Sequence, residues 1–217
     1  MKIFVTKFAS FKTLPENPGE MPKLPYIEPL FKRRLSQISR MTIEAVHGII
    51  GENGENSDLK MVFASFRGEI ARQLKINKGL VEDKDVMPAN FSISVFNTPP
   101  AVTTIAFKMK AGYTAVYPAE DDFSSALLAA SASILCGADK KIIFAYADEL
   151  VPAEYKDCKN YTDSLPFAFA CVLSSEDSAE TSLDAIEVSL DEENLSKIAS
   201  SPKSFLEYLE SSSARKS

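Results

Sequence analysis

Three consecutive carboxylates, Glu120, Asp121 and Asp122, directly precede an uncharged stretch of small and apolar residues. Neighbouring carboxylates can act as general acid and base or bind a cation. They also suit the first turn of a helix, where they accept hydrogen bonds from free N–H groups at the positive end of the helix dipole. A second acidic pair, Asp148-Glu149, follows an apolar run. It is either a functional pair at a strand end or a solvated terminus.

Other residue types that could do chemistry are scarce. The chain has three cysteines, Cys136, Cys158 and Cys171, and His47 is its only histidine. Zinc sites need about four N or S ligands with close spacing, so we expect neither a metal site nor a disulfide framework. The sequence has no glycine-rich phosphate-binding motif and no Gly-x-Ser-x-Gly motif, and we expect no cofactor. A structural role for His47 is favoured over a catalytic one.

Charge is distributed unevenly along the 217 residues. Residues 1–80 hold 13 Lys/Arg against 8 Asp/Glu, a balance of +5, whereas residues 81–217 hold 11 against 22, a balance of −11. A positive charge confined to one segment argues against nucleic-acid binding. No apolar run is long enough for a membrane span or a signal peptide, so we expect a cytoplasmic protein without membrane insertion.

The hydrophobic pattern predicts the elements that would position these groups. Strands are expected at 1–11, 59–65, 113–117, 141–147, 167–173 and 186–190. Helices are expected at 30–50, from 68–70 to about 74, at 123–135, and at 194–209 with an interruption near Pro202. Residues 14–29 contain five prolines and should be extended. Residues 90–95 fit a strand or an ordered loop, 102–109 a helix or strand, and 211–217 a frayed tail.

Residues 123–135 carry no charge, so the helix there should be buried all round. Alternating strands and helices with one helix inside indicate a single α/β layered domain over 1–217.

Several short segments follow one another in a fixed order along the chain: Arg33-Arg34-Leu35-Ser36, Ser39-Arg40-Met41, Phe63-Ala64-Ser65, Gly68-Glu69, Phe91-Ser92-Ile93-Ser94-Val95, Asn97 to Ile105, Gly112, Gly137-Ala138-Asp139 and Asp148-Glu149. In this order they resemble the β-ketoacyl synthase family, and in particular its short chain-length-factor-like members beside aryl-polyene and related pigment synthases. The resemblance covers roughly residues 25–175. It implies a thiolase-like half-fold in which the strand before the uncharged helix pairs across a dimer interface.

Departures from the family pattern affect the catalytic residues. Ketosynthases place a cysteine nucleophile at the start of the buried helix, where the helix dipole lowers the thiol pKa. The two possible registers place that position at Glu120 or Phe123, and the window Glu120-Asp121-Asp122-Phe123 contains no cysteine. The catalytic histidines belong to a second half, which this sequence does not match. Ala101 stands where the family usually has glycine, and Phe96 where histidine is common.

The resemblance therefore implies a non-catalytic subunit that pairs with a complete ketosynthase. The pair would elongate acyl chains carried by acyl carrier protein. Alternatives are an independent thioester-processing enzyme that uses Glu120, Asp121 or Asp122, and a homodimeric acyl-binding scaffold.

Two further sets of residues could contact the implied partners, the ketosynthase and the acyl carrier protein. Phe91, Ile93, Phe96 and Asn97 lie in the loop that reaches the partner's acyl tunnel in such enzymes. If 90–95 is a strand, Phe91 and Ile93 share a face and either plug that tunnel or pack into the core of this chain. The basic residues Arg33, Arg34 and Arg40 are either a solvated helix face or a contact for the acidic carrier protein or the ketosynthase.

Overall fold

The computed structural model describes residues 1–119, 122–157, 165–179 and 184–215. Its strands are β1 (Lys2–Lys12), β2 (Met61–Ala64), β3 (Tyr113–Val116), β4 (Lys141–Asp148), β5 (Phe167–Ser174) and β6 (Ile186–Ser189). Its α-helices are α1 (Pro29–Lys32), α2 (Gln37–Ile50), α3 (Ile70–Glu82), α4 (Pro88–Phe91), α5 (Thr98–Ala106), α6 (Phe123–Leu135), α7 (Glu176–Ala179), α8 (Glu192–Ile198) and α9 (Pro202–Ala214). A 3₁₀ turn spans Ala153–Tyr155.

The strands form one mixed sheet in the order β3-β2-β4-β5-β1-β6. β2 pairs in parallel with both β3 and β4, whereas β5, β1 and β6 add antiparallel pairs on the other side. The carboxyl ends of β2, β3 and β4 therefore meet at one edge of the sheet, where loops from parallel strands usually carry the functional groups.

Alternating side chains of the central strands feed two cores, one on each face of the sheet. One core packs the sheet against α6, α8 and α9. The other packs it against α2. A smaller cluster joins the proline-rich segment to α2 and α5 through Leu24, Ile27 and Val102. The result is the α/β layered architecture that the sequence indicates.

Helix α6 is buried along one side only, so the expectation of burial all round is corrected. Phe123, Ala126, Leu127, Ala130, Ser131 and Ile134 are buried. Leu128, Ala129, Ala132 and Leu135 are exposed. The sheet covers one face of the helix, and nothing in the described part of the chain covers the other. Its lack of charge therefore leaves an apolar strip on the surface.

Serine side chains account for one wrong element prediction and for the choice between two alternatives at 90–95. The helix expected over 30–50 is divided, because Ser36 Oγ accepts a hydrogen bond from Ser39 N at 3.2 Å and caps a new helix, α2. The strand allowed at 90–95 does not form. Pro88 begins the short helix α4 instead, and Ser94 Oγ donates to the Phe91 carbonyl at 2.8 Å, which favours a turn.

Other boundaries also move. Helix α3 continues to Glu82, past the expected end near residue 74, and residues 102–109 are largely helical as part of α5. Residues 211–214 belong to α9, so the frayed tail expected there is wrong for them, and 216–217 lie outside the described residues.

The crossing of α2 over β1 depends on Gly48. A Cβ at this position would lie 2.4 Å from Ala9 Cβ. Alanine usually stabilises a helix interior relative to glycine, but here we expect Gly48→Ala to destabilise the protein by about 1–3 kcal/mol, since the core is overpacked. Adding Ala9→Gly should recover part of the loss in urea unfolding. Gly19→Ala, which meets no atom within 4 Å, is the control. Strictly additive effects of Gly48→Ala and Ala9→Gly would contradict the contact.

Candidate functional site

The start of α6, where the resemblance places the family's nucleophile, carries a helix cap. Asp122 Oδ1 accepts a hydrogen bond from Ser124 N at 2.9 Å, and Oδ2 accepts one from Ser124 Oγ at the same distance. Asp122 thus uses both carboxylate oxygens to hold the first turn, as the capping interpretation predicts. Glu120 and Asp121 lie outside the described residues.

Phe123, the next residue, is a core side chain. It is fully buried among aromatic rings, with centroids 5.6–6.2 Å from those of Phe144, Tyr146, Phe169 and Phe205. The rings of Tyr146 and Phe169 meet it edge to face, an attractive arrangement that adds to the burial of apolar area. The side chain therefore stabilises the fold and has no group that could attack a thioester.

Neither described cysteine can replace a nucleophile at this position. Cys136 is exposed at the opposite end of α6, thirteen residues or about 20 Å from Phe123. Cys171 is fully buried in β5, and burial raises its thiol pKa far above the usual value. A thiolate, the reactive form, is disfavoured there.

The loop before α5 brings Phe96 and Asn97 to the same edge of the sheet. Phe96 packs edge-on against Phe63 and lies near Tyr117, and its ring covers Gly68 so closely that a Cβ there would approach Phe96 Cδ2 to 2.8 Å. Asn97 is exposed and donates to Tyr113 Oη at 3.2 Å. Phe96 is thus partly a packing residue, whereas Asn97 faces solvent.

Phe91 and Ile93 do not share the strand face that the sequence allows. Phe91 is 60% exposed at the end of α4, and Ile93 is half-buried in the turn that follows. Neither side chain is part of the buried core of this chain, so the packing alternative is wrong for Phe91.

The three arginines occupy two different environments. Arg33 and Arg34 are exposed just after α1. Arg40 is half-buried in α2, where its Nη2 donates to the Lys32 carbonyl at 3.0 Å. Arg40 therefore holds the end of α1 in place, and Arg33 and Arg34 are the exposed members of this group.

A buried polar network joins the ends of β2 and β4. Asp148 accepts hydrogen bonds from Ser65 Oγ at 2.6 Å and Tyr146 Oη at 2.5 Å, and the Arg67 guanidinium lies 3.4 Å away. Burial raises the pKa of Asp148, while the hydrogen bonds and Arg67 oppose that shift. Because Asp148 also accepts from the backbone N–H groups of Phe66 and Arg67, it fixes the turn after β2.

A pair of buried carboxylates, Glu69 and Glu149, lies where α2 and α3 begin. Glu69, fully buried, accepts from Ser36 Oγ at 2.6 Å and Ser39 Oγ at 2.8 Å, and it pairs with Arg72 Nε at 3.0 Å. Glu149 accepts from Ala71 N at 3.0 Å. Burial, with the nearby charge of Glu69, raises the pKa of Glu149 to about 7. Glu149 is thus poised to hold a proton near neutral pH.

Glu149 lies at the floor of a groove that follows α3. The α3 groove, as we name it, has a volume of about 1070 Å³. Its walls are one side of α3, the segments 149–153 and 86–90, and Gly19 and Met21 of the proline-rich segment. Gln37 ties two of these walls together, since its side chain donates to the Pro18 and Glu20 carbonyls and accepts from Leu150 N.

Sequence reasoning finds part of this arrangement. It places Asp148-Glu149 at a strand end but leaves a solvated terminus equally possible, and it does not predict the partner Glu69 or the groove. The sequence signal that points to Glu69 is its position in a helix-start pattern, Gly68-Glu69. Ser36 lies in another such pattern, at the start of α2. No group of three metal-ligating side chains occurs in the described parts of the chain. Within those same parts, no helix is long and apolar enough to cross a membrane.

The small-residue helix α6 follows β3, the edge strand of the parallel part of the mixed sheet. The sequence matches the family of the β-ketoacyl synthase N-terminal domain over residues 8–216. The chain belongs to this family.

Solved structures share the fold at low sequence identity. A ketosynthase in complex with its chain length factor from Xenorhabdus doucetiae aligns with a TM-score of 0.67 at 21% identity, over 81% of this chain and 79% of the matched one. The ishigamide ketosynthase/chain length factor aligns with a TM-score of 0.64 at 12% identity, over 82% and 63%. A type II polyketide synthase acyl-carrier protein in complex with its ketosynthase gives 0.59 at 12% identity, over 83% and 65%.

In the second and third of these structures, the alignment spans less than two thirds of the matched chain. In the first, the two shares are nearly equal, so the matched chain is about as long as this one. No curated protein matches the sequence.

Proposed function

We propose that this protein is a non-catalytic, chain-length-factor-like subunit. It pairs with a complete β-ketoacyl-[acyl carrier protein] synthase and helps to set the length of the acyl chain that the pair makes. The observation that carries the proposal is the start of α6. Asp122 serves there as a helix cap and Phe123 as a core side chain, and the window 120–123 contains no cysteine. Condensation would use the partner's nucleophile.

Two uncovered surfaces support a partner. The apolar strip of α6 is exposed, and β3 is the last strand of the sheet, with no described segment paired to its outer edge. An edge strand without a bulge or proline is a ready template for a strand of another chain. In our proposal β3 pairs with the ketosynthase, as the family resemblance implies, and the partner covers α6.

Exposed side chains would make the remaining contacts with the ketosynthase and the carrier protein. Phe91 reaches toward the partner's acyl tunnel, with Ile93, Phe96 and Asn97 behind it. Arg33 and Arg34 offer positive charge to the acidic carrier protein or to the ketosynthase, which would mainly raise the association rate at low salt.

The independent-enzyme alternative, with Glu120, Asp121 or Asp122 as acid or base, is weakened at Asp122 because both of its oxygens are engaged in capping.

The central experiment is reconstitution. The chain alone, mixed with malonyl- and acyl-carrier protein, should acquire no acyl adduct in intact-protein mass spectra and form no product. With the ketosynthase encoded nearest to it, it should co-elute as a heteromer and support elongation. An acyl adduct on the isolated chain, whether at Cys136 or on a carboxylate, would refute the non-catalytic assignment, and failure to co-elute would refute the pairing.

Phe91→Ala tests the length-setting role. Because Phe91 is 60% exposed, the substitution should leave the unfolding midpoint of the chain unchanged, in contrast to the loss expected for a buried phenylalanine. In the reconstituted pair it should shift the products toward longer chains, as measured by mass spectrometry. Ile105→Ala, at a side chain 64% exposed on α5, is the matched control and should alter neither quantity. An unchanged product profile for Phe91→Ala would remove this residue from length control.

A further inference from the structure

The α3 groove and the helix beside it form a surface that the proposed function does not use. None of the thirteen residues of α3, all within the described part of the chain, is buried. On this helix Leu80 is 51% and Val81 80% exposed, and Met87 beyond it is 64% exposed. A helix and groove with this much uncovered apolar surface are typical of an interaction site.

One end of the α3 groove is acidic. Glu82, Asp83 and Asp85 line it there. None of the three forms an ion pair in the described ranges. Lys75 and Lys78 also line the groove, and Lys78 pairs with Glu154 while the charge of Glu82 acts on it from farther away. An occupant with positive charge at this end would therefore be favoured.

The other end of the groove adjoins a basic corner of the same chain. We define the α1 corner as Leu30, Arg33 and Arg34. Leu30 is 67% exposed, and both arginines are exposed. The corner is fixed beside the groove because Arg72, which lines it, donates from Nη2 to the Arg34 carbonyl at 2.9 Å. Asp83 lies eleven residues beyond Arg72, about 16 Å along the helix.

We propose that the α3 groove receives the α1 corner of a second copy of this chain. The corner combines an exposed leucine with two arginines. The groove combines apolar walls with three carboxylates that form no ion pair within the described part of the chain. The α1 corner and the three carboxylates lie at opposite ends of the α3 groove. A two-fold axis perpendicular to α3 therefore places the α1 corner of each copy against the carboxylates of the other, and the same contact forms twice. The same complementarity appears in the sequence as +5 over residues 1–80 and −11 over residues 81–217.

This self-association concerns the free chain and does not rest on the proposed function. It uses the α1 corner and the α3 groove, whereas the proposed ketosynthase contacts centre on β3, α6 and the segment from Phe91 to Asn97. Arg33 and Arg34 serve in both, so an acidic carrier protein would compete with the second copy.

Complementation between two charge-reversed variants tests the proposal. Arg33→Glu/Arg34→Glu and Asp83→Lys/Asp85→Lys each place like charges opposite each other, and each alone should raise the dimer dissociation constant about 100-fold in sedimentation experiments. Mixed one to one, the two variants should dimerise again, because every reversed residue then faces a reversed partner. Recovery in the mixture also shows that both variants are folded.

Lys203→Glu, at a side chain 77% exposed on α9, should leave the dimer intact, and high salt should weaken the wild-type dimer. The proposal is overturned if the wild-type chain stays monomeric up to its solubility limit, if the charge reversals leave the dimer unchanged, or if the mixed variants remain monomeric. A monomer whose ketosynthase binding depends on Arg33 and Arg34 would assign the corner to that partner instead.

Discussion

Asp148→Ala is expected to lower the free energy of unfolding by about 3–5 kcal/mol, the usual loss when one partner of a buried charged network is removed. Asp148 is 6% exposed. Without its carboxylate, the Tyr146 hydroxyl, the Ser65 hydroxyl and the Arg67 side chain lose an acceptor inside the protein. Urea unfolding followed by circular dichroism, with the slope and midpoint fitted together, measures the change.

Two companion variants make the Asp148 result interpretable. Asp148→Asn keeps one acceptor oxygen and the shape of the side chain, so its loss should be smaller. Glu193→Ala removes a carboxylate that is 82% exposed in an ion pair on α8 and should leave the midpoint unchanged. A loss of under about 1 kcal/mol for Asp148→Ala would mean that water satisfies the network, which would contradict its role in fixing the turn after β2.

Glu149 should make stability depend on pH near neutrality. Its pKa is about 7 in the folded protein against the ordinary 4.5, so between these values the folded state binds more protons than the unfolded state. The contribution of Glu149 to stability therefore falls as pH rises from 4.5 to 7 and is constant above, with a total near 3 kcal/mol at 1.36 kcal/mol per pKa unit.

Comparison with Glu149→Gln isolates the contribution of Glu149 to the pH dependence of the free energy of unfolding. Glutamine retains an acceptor for Ala71 N and cannot ionise, so the variant should gain stability relative to the wild type as pH rises, by about 3 kcal/mol at about pH 8. Other groups titrate in both proteins and cancel in the difference. A difference between the two proteins that stays constant with pH would show that Glu149 has the same pKa in the folded and unfolded states, and that burial and the charge of Glu69 do not shift it.

The acidic residues of the chain show which contacts a local sequence pattern can reveal and which it cannot. Asp122 is a cap, as one interpretation of the acidic cluster predicts, because its side chain is close in sequence to the N–H group it accepts from. Glu69 and Glu149 are eighty positions apart, and their proximity depends on the parallel pairing of β2 with β4. Local pattern cannot reveal such a pair.

By itself, the sequence determined the α/β class, the capped helix at 123–135, the buried strands and the lack of a cysteine at residues 120–123. These features follow from local periodicity and residue type, which act over a few neighbouring positions. The tertiary structure alone decided that only one face of α6 is covered, that α4 and a turn replace a strand at 90–95, and that the α1 corner adjoins the α3 groove. These outcomes depend on which elements pack together, and burial is a property of the whole arrangement of elements.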